Sequence, residues 1–229
     1  MNNSLLYKLK RKLYTVIGDL TWHGFKKPFS ILYKPKGYKI KDKTLNDLNY
    51  FVFNELLLPG DIILRRYDKY FSSYFIPGEF KHAGIYIGKD ENDNTHRVIH
   101  SISEGVQYIN IFDFFKTDYI CIIRVNDLTD KERLLVCNRA KACLNKPYDF
   151  DFRYTNSEAL YCTELVGYCY EPLKDKFKFK LKMQGWGPIK RKSLLADNII
   201  LTEEGCLIYN SPNSEKFKVI QKKLKIEKE

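Results

Sequence analysis

A chain of 229 residues, 44% hydrophobic and 15% aromatic, suits one sizeable domain or two small ones and is too apolar to stay disordered. Lysine and arginine outnumber aspartate and glutamate 39 to 28, and the net charge of +11 fits an anionic partner: a membrane surface, a polyphosphate or an acidic substrate. No apolar run approaches a membrane span, no RNP, zinc-finger or helix-turn-helix signature supports nucleic-acid binding, and the six cysteines include no CxxC pair that would suggest structural zinc.

Residues 3–17 can form a basic amphipathic helix with Leu6, Leu9, Leu13 and Val16 on one side, expected to pack on its own domain. Val16-Ile17 is too short for the apolar core of a signal peptide, and Cys121 and Cys143 sit as buried free thiols would, so the expected location is the cytoplasm. Gly24, Pro28, Pro35 and Gly37 mark a loop. The expected organisation is an N-terminal basic extension over 1–48, a single domain over 49–210 and a basic tail over 211–229. The runs KLKRK and KKLKIEKE read as solvated ends, with docking to an anionic membrane surface as the alternative.

From Leu58 the pattern changes to short strands. Pro59-Gly60 is a turn, and Asp61–Arg65 leaves it as an apolar strand. An aromatic-rich loop runs to about Phe80 and is expected to help line an apolar groove. Lys81–Gly88, His96–Ser101, Val106–Ile111 and Tyr119–Val125 read as four further strands, and their short polar connections make them mostly antiparallel neighbours. Thr129–Leu144 is a helix opened by a capping box of Thr129 and Glu132. Lys176–Lys182 alternates lysine with Phe177, Phe179 and Leu181, as on a strand with one wet face. The fold class is α+β: an antiparallel sheet with helices packed on it.

The segment Asp149–Tyr170 reads as a loop feeding a late helix, with Asn156 and Ser157 as N-cap candidates. Cys162 falls in its opening turns, where the helix dipole favours the thiolate that acts as nucleophile. A cysteine nucleophile needs a base and a group that orients the base. A hairpin folded near residues 91–92 makes His82 and His100 cross-strand neighbours on one face of the sheet, within a residue or two of register. His23 in a loop and His96 in a turn have no comparable placement. Glu104 is the alternative third member, but about four residues of extended chain, roughly 13 Å, separate it from His100. His100 is therefore expected on the far side of the His82 ring, with Glu104 out of reach.

The succession LPGDIIL, KHAGIYIG, RVIHSISEGV, KPYDFDF and YCTELV, covering roughly residues 57–172, resembles the circularly permuted papain-like cysteine amidases of bacteria and poxviruses. These are related to the NlpC-type peptidases and the lecithin-retinol acyltransferase-like enzymes. Here, as in the permuted group, histidine precedes cysteine. The resemblance implies a permuted papain-like catalytic domain with Cys162 as nucleophile, His82 as base and His100 at the third polar position, where amidase relatives often carry Glu. Backbone amides near the start of the cysteine helix, at Tyr161 and Cys162, would form the oxyanion hole. The implied activity is a cysteine hydrolase or acyltransferase that forms an acyl-enzyme from an amide or ester. Its substrate would be a small molecule, a lipid or a peptide, and it would need no metal or organic cofactor. A non-catalytic lipid- or anion-binding module on the same fold is the alternative.

Overall fold

A computed structural model describes residues 56–67, 77–152, 154, 158–184 and 191–200, together with the backbone of 205–210. The expected helix at 3–17, the extension over 1–48, the tail over 211–229 and most of the aromatic-rich loop lie outside the described residues. Those described all belong to one compact unit, made of Ile40–Tyr67 and Pro77–Glu229.

The chain forms strands β1 (Ile62–Arg66), β2 (His82–Lys89), β3 (His96–Ile102) and β4 (Gly105–Asn110), then a short helix α1 (Ile111–Phe114) and β5 (Tyr119–Val125). Helices α2 (Asp130–Ala142) and α3 (Cys162–Tyr170) follow, then a small hairpin of β6 (Lys182–Gln184) and β7 (Arg191–Ser193), helix α4 (Ala196–Ile200) and β8 (Gly205–Asn210). Six strands make one sheet in the order β4-β3-β2-β1-β5-β8, with every neighbouring pair antiparallel.

Both faces of the sheet are covered, which explains why β1 and β5 read as continuous apolar runs. On one face Ile62, Leu64, Ala83, Ile85, Ile99, Cys121 and Ile123 pack with α2 and α3 residues such as Val136, Ala140, Leu165 and Val166. On the other, Ile63, Tyr86, Val98, Ile120 and Ile122 pack under Leu57 and the Ile111 and Phe114 side chains of α1. The PGD turn is fixed by a fully buried Asp61 carboxylate. It accepts from the Leu58 amide at 2.9 Å and from Arg124 Nε at 2.9 Å, with Arg133 Nη1 3.6 Å away. The capping box of α2 is present, with Thr129 N–H donating to Glu132 and Glu132 N–H to the Thr129 hydroxyl.

Three expectations need correction. Helix α3 starts at Cys162 with Tyr161 at its N-cap, and Asn156 and Ser157 lie outside the described residues. Leu160 cannot join the helix because its backbone is committed elsewhere: its N–H donates to Pro147 O at 3.0 Å and its carbonyl accepts from the Ser101 hydroxyl at 2.5 Å. In Lys176–Lys182 only Lys182 is in a strand. Phe177 and Phe179 meet edge to face at 4.6 Å and stack against Tyr170 of α3, so packing on the helix displaces sheet pairing there. Finally, the β2–β3 register pairs His100 with Gly84, so His82 is diagonal to His100 rather than opposite it. A bulge between Tyr86 and Gly88, where Gly88 takes a positive φ of 92°, shifts the register; the even offset keeps both histidines on one face.

Candidate active site

Cys162 opens α3 and is 6% exposed. The last β2–β3 pair is Gly84 with His100. Just past it the Ala83 backbone amide lies near enough to the Cys162 sulfur to favour its anion. The amides of Cys162 and Thr163 at the helix N-terminus point at the same sulfur and favour its anion. Burial outweighs them and pushes the thiol pKa up. The expected preference for thiolate is thus reversed in the resting protein, because the helix N-terminus is desolvated along with the sulfur it would stabilise.

His82 is only partly buried, and its Nε2 lies 2.9 Å from His100 Nδ1, with the two rings nearly perpendicular at 80°. His100 is 2% exposed. Loss of hydration lowers both imidazole pKa values. The Arg65 cation acts in the same direction on both, and His100 adds to the effect on His82. His82 falls well below its ordinary value and His100 falls to about 3. At rest, therefore, Cys162 is a thiol and both imidazoles are neutral. A neutral His100 that accepts a proton at Nδ1 must carry its own on Nε2, and that atom is buried and has no hydrogen-bond partner.

Glu104 stands apart, exposed in the turn between β3 and β4, where it accepts from the Ser103 hydroxyl at 2.7 Å. His96 begins β3 rather than lying in a turn, and its Nδ1 meets the Tyr86 hydroxyl at 2.5 Å. The Tyr161 amide faces the Glu164 carboxylate at 3.4 Å, which leaves the Cys162 amide as the nearer of the two expected backbone donors to the Cys162 sulfur. The Tyr161 hydroxyl accepts from Leu194 N–H at 2.8 Å and the Thr163 hydroxyl donates to Leu194 O at 2.6 Å, so the segment after β7 braces both neighbours of Cys162.

Residues that sequence reasoning passed over complete the site. Arg65 pairs with His82 across the β1–β2 ladder. The long loop between those strands hid the register. Tyr148, in the KPYDFDF stretch, lies where charge on Cys162 raises its phenol pKa, although burial is the larger cause. It heads an aromatic row with Phe150 at 5.0 Å and Phe152 at 5.9 Å, and Phe152 in turn lies 5.5 Å from Tyr161. Ser193 of β7 holds this row by donating to Phe152 O at 2.8 Å.

A family model described as permuted papain-like amidase enzyme, YaeF/YiiX, C92 family matches residues 57–185. A crystal structure of the metalloprotein yiiX from Escherichia coli O157:H7 is similar with a TM-score of 0.56 at 16% identity, covering 66% of this chain and 96% of that one. At that identity the likeness shows the fold alone. That protein is described as a metalloprotein; among the described residues here, no group of three or more His, Cys, Asp or Glu side chains is placed to hold a metal ion. No curated protein matches the sequence.

Proposed function

Because the chain belongs to the permuted papain-like amidase family, a class of cysteine hydrolases, we propose that it cleaves an amide or ester through an acyl-enzyme on Cys162, with His82 as base and His100 as orienting partner. The observation that carries this reading is the pairing of His82 Nε2 with His100 Nδ1 at 2.9 Å, on the strand whose Ala83 amide favours the Cys162 anion. That bond occupies one His82 nitrogen and leaves Nδ1 for the thiol.

His82 Nδ1 takes the thiol proton as the sulfur attacks the carbonyl carbon, and the displaced electron pair moves to the carbonyl oxygen, facing the Cys162 amide. Collapse of this intermediate breaks the bond to the amine or alcohol, which leaves with the proton from His82. Water then gives a proton to His82 and attacks the thioester; the carbon–sulfur bond breaks, the acid leaves, and His82 returns the proton to the sulfur to restore the thiol. A second acceptor in place of water would make the reaction a transfer. Since thiol and imidazole are both neutral at rest, proton transfer accompanies attack instead of preceding it. The aromatic row from Tyr148 to Tyr161 supports an apolar acyl group, as in a lipid or acyl-amide. The segment 49–210 is the catalytic domain in this reading.

The test is incubation of the full chain with p-nitrophenyl esters of short and long fatty acids. Nitrophenol release is followed together with the mass of the Cys162 peptide. A burst with an acyl adduct on Cys162, lost in Cys162→Ala and strongly reduced in His82→Ala, is expected. Equal release by Cys162→Ala would overturn the reading and leave the non-catalytic lipid- or anion-binding module.

A further inference from the structure

Arg65 and Phe114 stand behind the histidine pair, and neither takes part in the proton transfers above. Arg65 Nη1 donates to Phe114 O at 3.1 Å, and its guanidinium lies 4.2 Å over the Phe114 ring. Phe114 is fully buried, and both imidazoles rest on its ring, His82 at 5.7 Å and His100 at 5.6 Å. The ring fits because β2 carries Gly84 there. A Cβ at that position would lie 3.0 Å from Phe114 Cε2. One cation thus grips both the backbone and the face of the aromatic ring against which the two histidines are set.

We propose that Arg65 is a positioning residue of this centre: clamped on the carbonyl and ring of Phe114, it fixes the surface that holds His82 and His100 in their mutual orientation. The proposal rests on the Cys162–His82 reading. A lysine would keep the charge but lacks the planar fork that bonds the carbonyl while stacking on the ring. Charge and clamp are therefore separable. The charged and titratable groups that act on His82 are Arg65 from β1 and His100 from β3, and Arg65 acts also on His100 and on Cys162 of α3.

The experiment compares the full-length wild type with Arg65→Lys, Arg65→Met and Phe114→Leu. Circular dichroism establishes that each is folded. Two readouts follow: Cys162-dependent hydrolysis of a p-nitrophenyl ester, separated into kcat and KM, and imidazole nitrogen and proton NMR signals across pH. Arg65→Met is expected to lower kcat by about tenfold or more with KM little changed, as a small misplacement of a base does. It should also move both histidine titrations upward. Arg65→Lys should leave the titrations low yet still lose kcat and shift the signal of the proton shared by His82 and His100. Phe114→Leu, with the cation retained, should show the same loss of kcat. Wild-type kcat and imidazole signals in Arg65→Lys would overturn the clamp, as would an unchanged Arg65→Met. If the wild type shows no Cys162-dependent turnover, the functional reading falls, and the imidazole signals alone still decide the role of Arg65.

Discussion

Replacing His100 by Glu tests the electrostatics of the centre most directly. In the wild type His82 leans on a neutral ring whose Nε2 has no partner, and every charge acting on it, chiefly that of Arg65, opposes its protonation. A carboxylate at position 100 reverses the sign. With the partner nitrogens 2.9 Å apart in the wild type, a carboxylate charge there would sit about 4 Å from the centre of an imidazolium, worth about 4 kcal/mol at an effective dielectric constant near 20. That corresponds to about 3 pKa units. Burial of the new carboxylate and its attraction to Arg65 remove part of this, so a rise of about 1–2 units is expected for His82. The protonated imidazole then stabilises a neighbouring thiolate, and Cys162 should react at lower pH. The assay is the pH dependence of Cys162 alkylation by iodoacetamide, read by peptide mass, beside His82 imidazole NMR. The wild-type rate should climb only in the alkaline range, as a raised thiol pKa requires. The variant should gain reactivity near neutral pH. A His82 titration in His100→Glu that stays at or below the wild-type position would refute the reasoning.

Three further outcomes follow from the packing. Gly84→Ala puts a methyl 2.6 Å from Val98 Cγ1 and 3.0 Å from Phe114 Cε2, both on buried residues, and should cost about 1–3 kcal/mol in urea unfolding; an unchanged midpoint would mean the ring moves freely. Asp61→Ala leaves Arg124 and Arg133 without their buried carboxylate and the Leu58 amide without its acceptor, a loss of about 3–5 kcal/mol measurable in the same way. Acid should destabilise the fold early. His100 drops from 6.5 to about 3 on folding, so the unfolded chain binds more protons in that window; stability is complete above the unfolded value and is lost as pH falls through the window, by up to about 5 kcal/mol from this residue. His100→Gln should flatten that slope, and an equal slope in both proteins would count against a neutral buried His100.

Much of this was legible in the sequence because the relevant signals are local. The capping box of α2 lies within four residues, and the turn between β2 and β3 brings two histidines onto neighbouring strands, although they share a face only because the register offset is even. The diagonal offset of His82 and His100 was not legible, since the bulge at Gly88 adjusts the register without a distinctive residue pattern. Long-range pairs were harder still. Arg65 reaches His82 only through a ladder whose two strands are separated by a long loop, and Phe114 reaches both histidines from a four-residue helix too short to announce itself. The strand β8, at the far edge of the sheet, comes well after its neighbour β5 in the chain. The thiol's protonation state depends on burial, which opposes the helix-terminal amides that can be inferred from position alone.

Three consecutive residues of β2 show how a sheet covered on both sides can carry this chemistry. His82 points to the face occupied by α1, where it meets His100 and the Phe114 ring. Ala83 points the other way into the α2 and α3 core, small enough to let α3 approach, while its amide favours the Cys162 anion. Gly84 returns to the first face without a side chain and leaves that volume to Phe114. The imidazole and the helix that carries the thiol therefore lie on opposite faces of the sheet, and the β2–β3 ladder stops at Gly84 and His100, short of Ala83. A sheet that stayed paired would bond the Ala83 amide within its own ladders. The early end of the ladder is thus part of the site, and the Ser101 hydroxyl that binds the Leu160 carbonyl is what ties the approach to α3 to β3 at that point. Removing this tie in Ser101→Ala should loosen the placement of Cys162 more than it lowers global stability, seen as a larger fall in ester turnover than in unfolding midpoint; equal modest effects on both would make the tie merely structural.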